Sequence, residues 1–327
     1  MKSFTLLNPK TLEHATRALA AAPSSSARVL AGGQDLLTEM KEHLVEPEQL
    51  VNLKGIPGLD RIEFTAAGAC TIGALVTIGA LEEHAGVRER LRLLAEAAAS
   101  VGSPQIRTVG TVGGNLCQRP RCWYYRSEHA KCLKKGGDEC FSFSGMNKYN
   151  AILAGGPSYI VHPSDLAPAL VALGASATLV SAAGERTVPL EEFFTLPSAG
   201  DVKHENVLRQ GEVLTKVLVP APEAGLSSTY LKFRERGSYD FALASVALCL
   251  WRDGARIRKA RVALGGVAPV PWRSFPTEKA LEGAAFEPST FEKAAAAAVT
   301  GAEPLGQNDY KIPLTKGLVV RALQSLA

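Results

Sequence analysis

Two glycine-rich turns, each set between apolar runs, constrain this chain more than any other feature. Arg28-Val29-Leu30 reads as a strand that enters Ala31-Gly32-Gly33-Gln34-Asp35, after which Leu36, Leu37 and Met40 resume a helical period. The segment Ile106 to Leu116 is again apolar, with glycines at 110, 113 and 114. Without a Cβ in the way, backbone N–H groups at such turns can approach an anion closely, and a following helix adds the positive end of its dipole. A pyrophosphate suits that chemistry. Neither segment is the G-x-G-x-x-G dinucleotide fingerprint, and neither has the lysine that a P-loop places after its last glycine. Any phosphate site here therefore uses another fold, and a single Gly-Gly pair is more often a bare turn.

The rest of the chain alternates short strands and helices. Leu12, Ala15 and Leu19 predict a helix from Thr11 to Ala21. Residues 49 to 79 read as short strands joined by tight turns, and 80 to 100 as one or two helices. From Cys117 to about Gly156 the periodicity fails, as in an insertion. Regular structure is expected again at Tyr159-Ile160-Val161, then a turn at His162-Pro163-Ser164-Asp165, a helix from Leu166 to Leu173 and a strand near Ala177 to Val180. The proline-containing stretch Val219 to Gly225 reads as a linker. Beyond it, strands near 228–234, 242–252 and 258–267 precede Ala-rich helices at 290–299 and 314–326. At 327 residues and 46% apolar content, two or three domains with real cores are expected. A net charge of +4 falls short of the clustered basic stripe of a nucleic-acid binder, so no nucleic-acid partner is expected. No run reaches membrane-spanning length, and the residues before Pro9 lack a signal-peptide apolar core. Cytoplasmic residence is the expectation, with export alongside a partner subunit as the alternative.

Four cysteines, Cys117, Cys122, Cys132 and Cys140, fall inside the aperiodic insertion. Metal or cluster binding outranks disulfides there. The two C-x2-C knuckles of a zinc ribbon are absent, whereas irregular spacing suits an iron–sulfur cluster, whose thiolates need only converge in space. Arg119, Arg121, Arg126, Lys131, Lys134 and Lys135 are positioned to offset the charge of an anionic cluster. The alternative is an exposed loop with unligated thiols. Cys70 and Cys249 lie in apolar runs and are expected to pack as small hydrophobes, and His162 as a turn or packing residue. No catalytic triad or carboxylate pair is defensible from spacing, and no catalytic residue is assigned.

Taken together, Leu30 to Leu37 and Ile106 to Leu116 resemble the paired FAD segments of the medium subunits of the xanthine dehydrogenase, aldehyde oxidoreductase and carbon monoxide dehydrogenase family, the molybdenum hydroxylases. The likeness continues through Ser164-Asp165-Leu166-Ala167-Pro168, Arg234 to Ala242 and Ala263 to Ala268, nearly the whole chain. It implies an α+β fold: a two-part FAD-binding domain of the PCMH (vanillyl-alcohol oxidase-like) type over 1–220, with subdomains about 1–55 and 56–220 and a Cys-rich insertion at 117–157, then a smaller α+β domain over 226–327. It also implies FAD contacts from Leu30, Ala31, Gly32, Gly33, Gln34, Asp35, Leu36 and Leu37, from Val101, Thr108, Thr111, Val112, Gly113, Gly114 and Asn115, and from Asp165, Leu214 and Lys232. Lys232 would be a cation near the flavin ring, where it favours the anionic reduced form by Coulomb attraction.

One branch of that family, including 4-hydroxybenzoyl-CoA reductase, inserts a 4Fe-4S loop after the second FAD segment. Arg119-Pro120-Arg121-Cys122-Trp123-Tyr124-Tyr125 with Cys132 and Cys140 is similar to that loop, so these three cysteines are implied ligands. The fourth family cysteine is replaced by Ser158; Cys117 is the favoured substitute, and the alternatives are ligation by Ser158 through oxygen or a cluster weakly held or absent. The resemblance further implies a heterotrimer. A molybdenum-cofactor large subunit oxidises the substrate, a small subunit carries 2Fe-2S clusters, and this chain passes electrons to NAD, oxygen, a quinone or a carrier protein. The competing readings are a self-contained flavin oxidoreductase and a structural iron–sulfur adaptor without FAD.

Overall fold

The computed structural model of the chain describes residues 1–23 and 25–327. Its first sheet is parallel, built from β1 (Thr5–Leu7), β2 (Ala27–Leu30) and β3 (Gln49–Asn52) in the order β1-β3-β2. The helix Leu12–Ala21 connects β1 to β2, and the Thr11 hydroxyl caps it by accepting from the His14 N–H at 3.2 Å. Ala15 and Leu19, at helical spacing, turn inward to pack with Val51 and Leu53.

The second sheet is antiparallel, with β4 (Ile62–Phe64), β5 (Cys70–Gly73), β6 (Ser176–Ser181), β7 (Gly184–Pro189) and β8 (Val213–Val219) in the order β4-β5-β8-β6-β7. Residues 80–100 belong to three helices, Ile78–Glu83, Ala85–Arg90 and Arg92–Ala99, where one or two were expected. His84 and Leu91, both with non-helical backbone, separate them. No ladder forms at Tyr159-Ile160-Val161. That segment is extended, and its backbone instead serves Ala151 and Ala268: the Ala151 N–H donates to Tyr159 O at 3.0 Å and the His162 N–H to Ala268 O at 3.0 Å.

The third sheet holds β9 (Leu226–Phe233), β10 (Ala244–Asp253), β11 (Arg256–Gly265) and β12 (Trp272–Arg273) in the order β12-β11-β10-β9, all antiparallel. β10 is covered on both faces, which its alternation makes possible. Ala247, Cys249 and Trp251 join the core that runs from the second sheet through the helices Arg92–Ala99 and Leu166–Ala172. Val246, Leu248 and Leu250 face the C-terminal helices Pro288–Ala298 and Lys311–Gln324. The α+β unit after the proline-containing stretch is thus packed against the rest by continuous apolar contact. No helix among the described residues is long and apolar enough to cross a membrane.

Candidate functional site

The two glycine turns meet. A Cβ built on Gly32 would lie 2.3 Å from the carbonyl oxygen of Val109, an approach that only glycine permits. Gly33 takes φ +78°, the left-handed region, before the short helix Leu36–Lys41. Among the described residues the N–H groups of Gly32, Gly33, Gln34, Asp35 and Leu36 donate to no protein acceptor. Such a run of free amides is a nest for an anion.

The second turn differs from its expected form, because Gly113 and Gly114 belong to a short helix, Val112–Leu116. Thr111 caps it by accepting from the Gly114 N–H at 3.1 Å. The Val112 and Gly113 N–H groups donate to Val76 O and Ala74 O at 2.9 and 2.8 Å, which docks this helix on the turn that follows β5. Asn115 is held by the Ser164 hydroxyl at 2.5 Å.

Between the turns lies a cleft of about 720 Å³. Ala31, Gly32, Gly33, Gln34, Asp35, Leu36, Val101, Thr111, Gly113, Gly114, Asn115, Asp165, Leu214 and Lys232 all line it. Four expected contacts do not. Leu30 and Leu37 pack around Gly33, Val112 is buried in the core, and the Thr108 hydroxyl donates to Gln105 O at 2.8 Å. Arg28, Gly102, Arg119, Arg121, Tyr239 and Phe241 line the cleft without having been singled out for it. The Nε of Arg121 is buried with no hydrogen-bond partner among the described residues, a donor suited to an anion, whereas Arg119 Nε lies 3.0 Å from Glu205 Oε2. Tyr239 sits at φ 73°, uncommon for a residue with a side chain, and is 60% exposed at the cleft mouth. Free amides, a glycine cradle and the partnerless Arg121 donor fit a dinucleotide pyrophosphate.

Asp165 and Lys232 arrive as one buried pair. Lys232 Nζ donates to Asp165 Oδ2 at 2.7 Å and to Ser100 O at 3.0 Å, and the Tyr230 hydroxyl donates to Asp165 Oδ1 at 2.8 Å. Burial pushes the Asp165 carboxyl above the usual carboxylate range, against the pull of Lys232 and of the Tyr230 hydroxyl. Lys232, the cation expected near the flavin ring, lines the cleft with its charge already met by Asp165, which weakens any field it exerts on a bound ring. Tyr230 carries no sequence signal beyond its place in an apolar strand.

The cysteine insertion wraps the outer side of the first turn, and its basic residues serve a different end from the one expected. Arg121 and Arg126 pair with Asp35 at 3.1 and 2.7 Å, and Arg119 and Lys134 with Glu205 at 3.0 and 2.7 Å. Lys135 donates to Ser127 O. These charges are bound to carboxylates and carbonyls, leaving little to offset a cluster. Cys117 lines the cleft and packs against the core of the second sheet, and burial pushes its thiol up to about 12. Cys122 lies elsewhere. Asn150 Nδ2 reaches its Sγ at 4.0 Å and also donates to Tyr159 O at 2.8 Å, which sets the Ser158-Tyr159 segment beside Cys122. Burial raises the Cys122 thiol, and nearby Cys140 adds to the shift. Cys140 Sγ lies 3.0 Å from the Ser142 hydroxyl, and Cys132 is buried. Among the described residues no three His, Cys, Asp or Glu side chains converge as a single metal ion requires. The donors themselves, soft thiols on one loop, have the chemistry of iron–sulfur ligands. His162 stacks edge-on to Phe194 with ring centroids 4.7 Å apart, and burial pushes it down to about 4.

Comparison with known proteins agrees with this geometry. Residues 2–222 match the model of the FAD binding domain in molybdopterin dehydrogenase, and residues 228–326 match that of the CO dehydrogenase flavoprotein C-terminal domain. The chain is 36% identical to the aldehyde oxidoreductase FAD-binding subunit PaoB of Escherichia coli, over 99% of this chain and 98% of that one. It is 30% identical to the carbon monoxide dehydrogenase medium chain of Hydrogenophaga pseudoflava, over 97% and 94%. A solved structure of carbon monoxide dehydrogenase from H. pseudoflava superposes with a TM-score of 0.79 at 29% identity, covering 99% of this chain and 97% of that chain.

Proposed function

The chain belongs to the FAD-binding medium subunits of the molybdenum hydroxylases, and is so an oxidoreductase subunit; from that premise we propose that it holds FAD in the cleft between its two glycine turns and relays electrons for a partner that oxidises the substrate. FAD bound there supplies the exchange between one-electron donors and a two-electron acceptor. The chain's own residues bind and orient. The free amides of Gly32 to Leu36, with Arg121, receive the pyrophosphate, and Thr111 to Asn115 form the opposing wall. Asp165, Lys232 and Leu214 line the same cleft, with the ion pair fixing one wall without net charge. Residues 1–220 form the cofactor domain and 226–327 the domain that closes over it.

The medium chains it resembles are named for complexes, and a molybdenum-cofactor large subunit with a 2Fe-2S small subunit is the partner set that follows. For the insertion, Cys122, Cys132 and Cys140 are the thiolates we assign to a 4Fe-4S cluster. Its remaining corner falls to the Ser158 side, because Asn150 ties that segment to Cys122 while Cys117 faces the cleft.

The observation that carries the cofactor reading is the run of unpaired amides at the first turn, in contact with the second. Purification of the full chain with its neighbouring subunits, followed by flavin, iron and sulfide assays, tests it. FAD in the wild-type preparation supports the first site, and loss of iron in Cys122→Ser supports the second. Absence of flavin refutes the first, and unchanged iron in that variant refutes the second.

A further inference from the structure

Asp35 heads the helix Leu36–Lys41, yet its carboxylate caps nothing there. Both oxygens are turned outward into the cysteine insertion. Oδ2 accepts from the Arg119 N–H at 2.6 Å, Oδ1 accepts from Arg126 Nη2 at 2.7 Å, and Arg121 Nη2 lies 3.1 Å from Oδ1. A helical turn later, on the same face, Glu39 Oε1 accepts from the buried Tyr125 hydroxyl at 2.7 Å. Arg119 and Arg126 lie over the Tyr125 ring, 5.1 and 5.5 Å from its centroid. Arg126 is not among the residues that line the cleft.

Two consequences follow. The turn with the free amides and the insertion share one joint, so ordering either one orders the other. The joint is also electrostatic: bare carboxylates at Asp35 and Glu39 would repel a pyrophosphate at the neighbouring amides, and the insertion's guanidiniums offset that charge while Arg121, which lines the cleft, keeps its Nε free. We infer that Asp35 is a positioning residue through which the cysteine insertion and the cofactor cleft are thermodynamically coupled, so that an ordered insertion is a condition for tight FAD binding and bound FAD orders the insertion. The inference rests on FAD being the occupant of the cleft.

Coupling of this kind is reciprocal, which makes it measurable from both ends. On the full chain stripped of flavin, amide hydrogen exchange across residues 119–126 is expected to slow on adding FAD. Arg126→Gln is expected to weaken FAD binding on the order of ten-fold, although it stands outside the cleft, and Asp35→Asn by a similar factor. The double variant is expected to weaken binding no further than the worse single one. Exchange across 119–126 that ignores FAD overturns the inference, as does wild-type affinity in Arg126→Gln or additive loss in the double variant. The exchange measurement needs no substitution, so a variant that fails to fold leaves the test standing. Wild-type chain that takes up no FAD refutes the cofactor reading itself and is distinguishable from all of these.

Discussion

At the cofactor cleft the decisive atoms belong to the backbone, whereas in the cysteine insertion beside it they belong to charged side chains. The cleft is defined by amides left free, by a glycine that lets two turns touch and by a short capped helix. The insertion has little regular structure. It is fixed by Asp35, Glu39 and Glu205 on one side, and on the other by Asn147, Asn308 and Lys311, which tie it through backbone carbonyls to the start of the last helix and the loop before it. The two regions should therefore fail differently: the cleft by steric intrusion, and the insertion by loss of a buried charge partner.

Gly32→Val is the hardest blow to the cleft. Its Cβ meets Val109 O, and the separation this forces between the turns is expected to cost upwards of about 3 kcal/mol and to empty the purified chain of flavin. Thermal melts and flavin content check it, and a variant that retains flavin at wild-type stability would show that the turns need not touch. Next comes pH, acting on His162 in the segment joining the two regions. With its imidazole pushed down to about 4, the folded state stays neutral while the unfolded chain takes a proton below about 6.5. Its contribution is present above that value and is lost as pH falls through about 4, on the order of 3 kcal/mol in all. Urea midpoints from pH 7 to pH 4 should fall less steeply in His162→Phe than in the parent, and parallel slopes would contradict the burial.

Lys134→Met strikes the insertion. It leaves buried Glu205 with Arg119 alone, for an expected loss of about 2 kcal/mol and faster proteolysis between residues 127 and 140, with flavin affinity falling less than in Gly32→Val. Flavin loss equal to that of Gly32→Val would erase the contrast between the regions. The smallest effect is at the cleft mouth. Tyr239→Gly releases a left-handed backbone and is expected to raise the unfolding free energy by about 1 kcal/mol in urea titration; a lowered value would mean that the ring contributes packing its exposure conceals.

Legibility in the sequence followed the same division. The helix Leu12–Ala21, the strand β2, the three long strands of the last sheet and the C-terminal helices are visible because period and capping are local properties. Both glycine turns are visible as turns. That they touch is not, because the contact joins Gly32 to a carbonyl far along the chain. Arg119, Arg121 and Arg126 read naturally as charges beside cysteines. Their true partners are Glu205 for Arg119 and, for the other two, Asp35, which sits in a segment whose pattern already had a use as a cofactor turn. Lys232 shows the same limit, since its carboxylate partner lies on another element. Pairings between distant side chains leave no periodic trace.

The central claim is that the paired glycine turns form a site for FAD. Its most direct test is a titration of the flavin-free full chain with FAD and, separately, with FMN, followed by flavin fluorescence. Saturation at equimolar FAD, with FMN bound far more weakly because it lacks the pyrophosphate-linked adenosine, is the expected result. Equal binding of the two, or none of either, would contradict it.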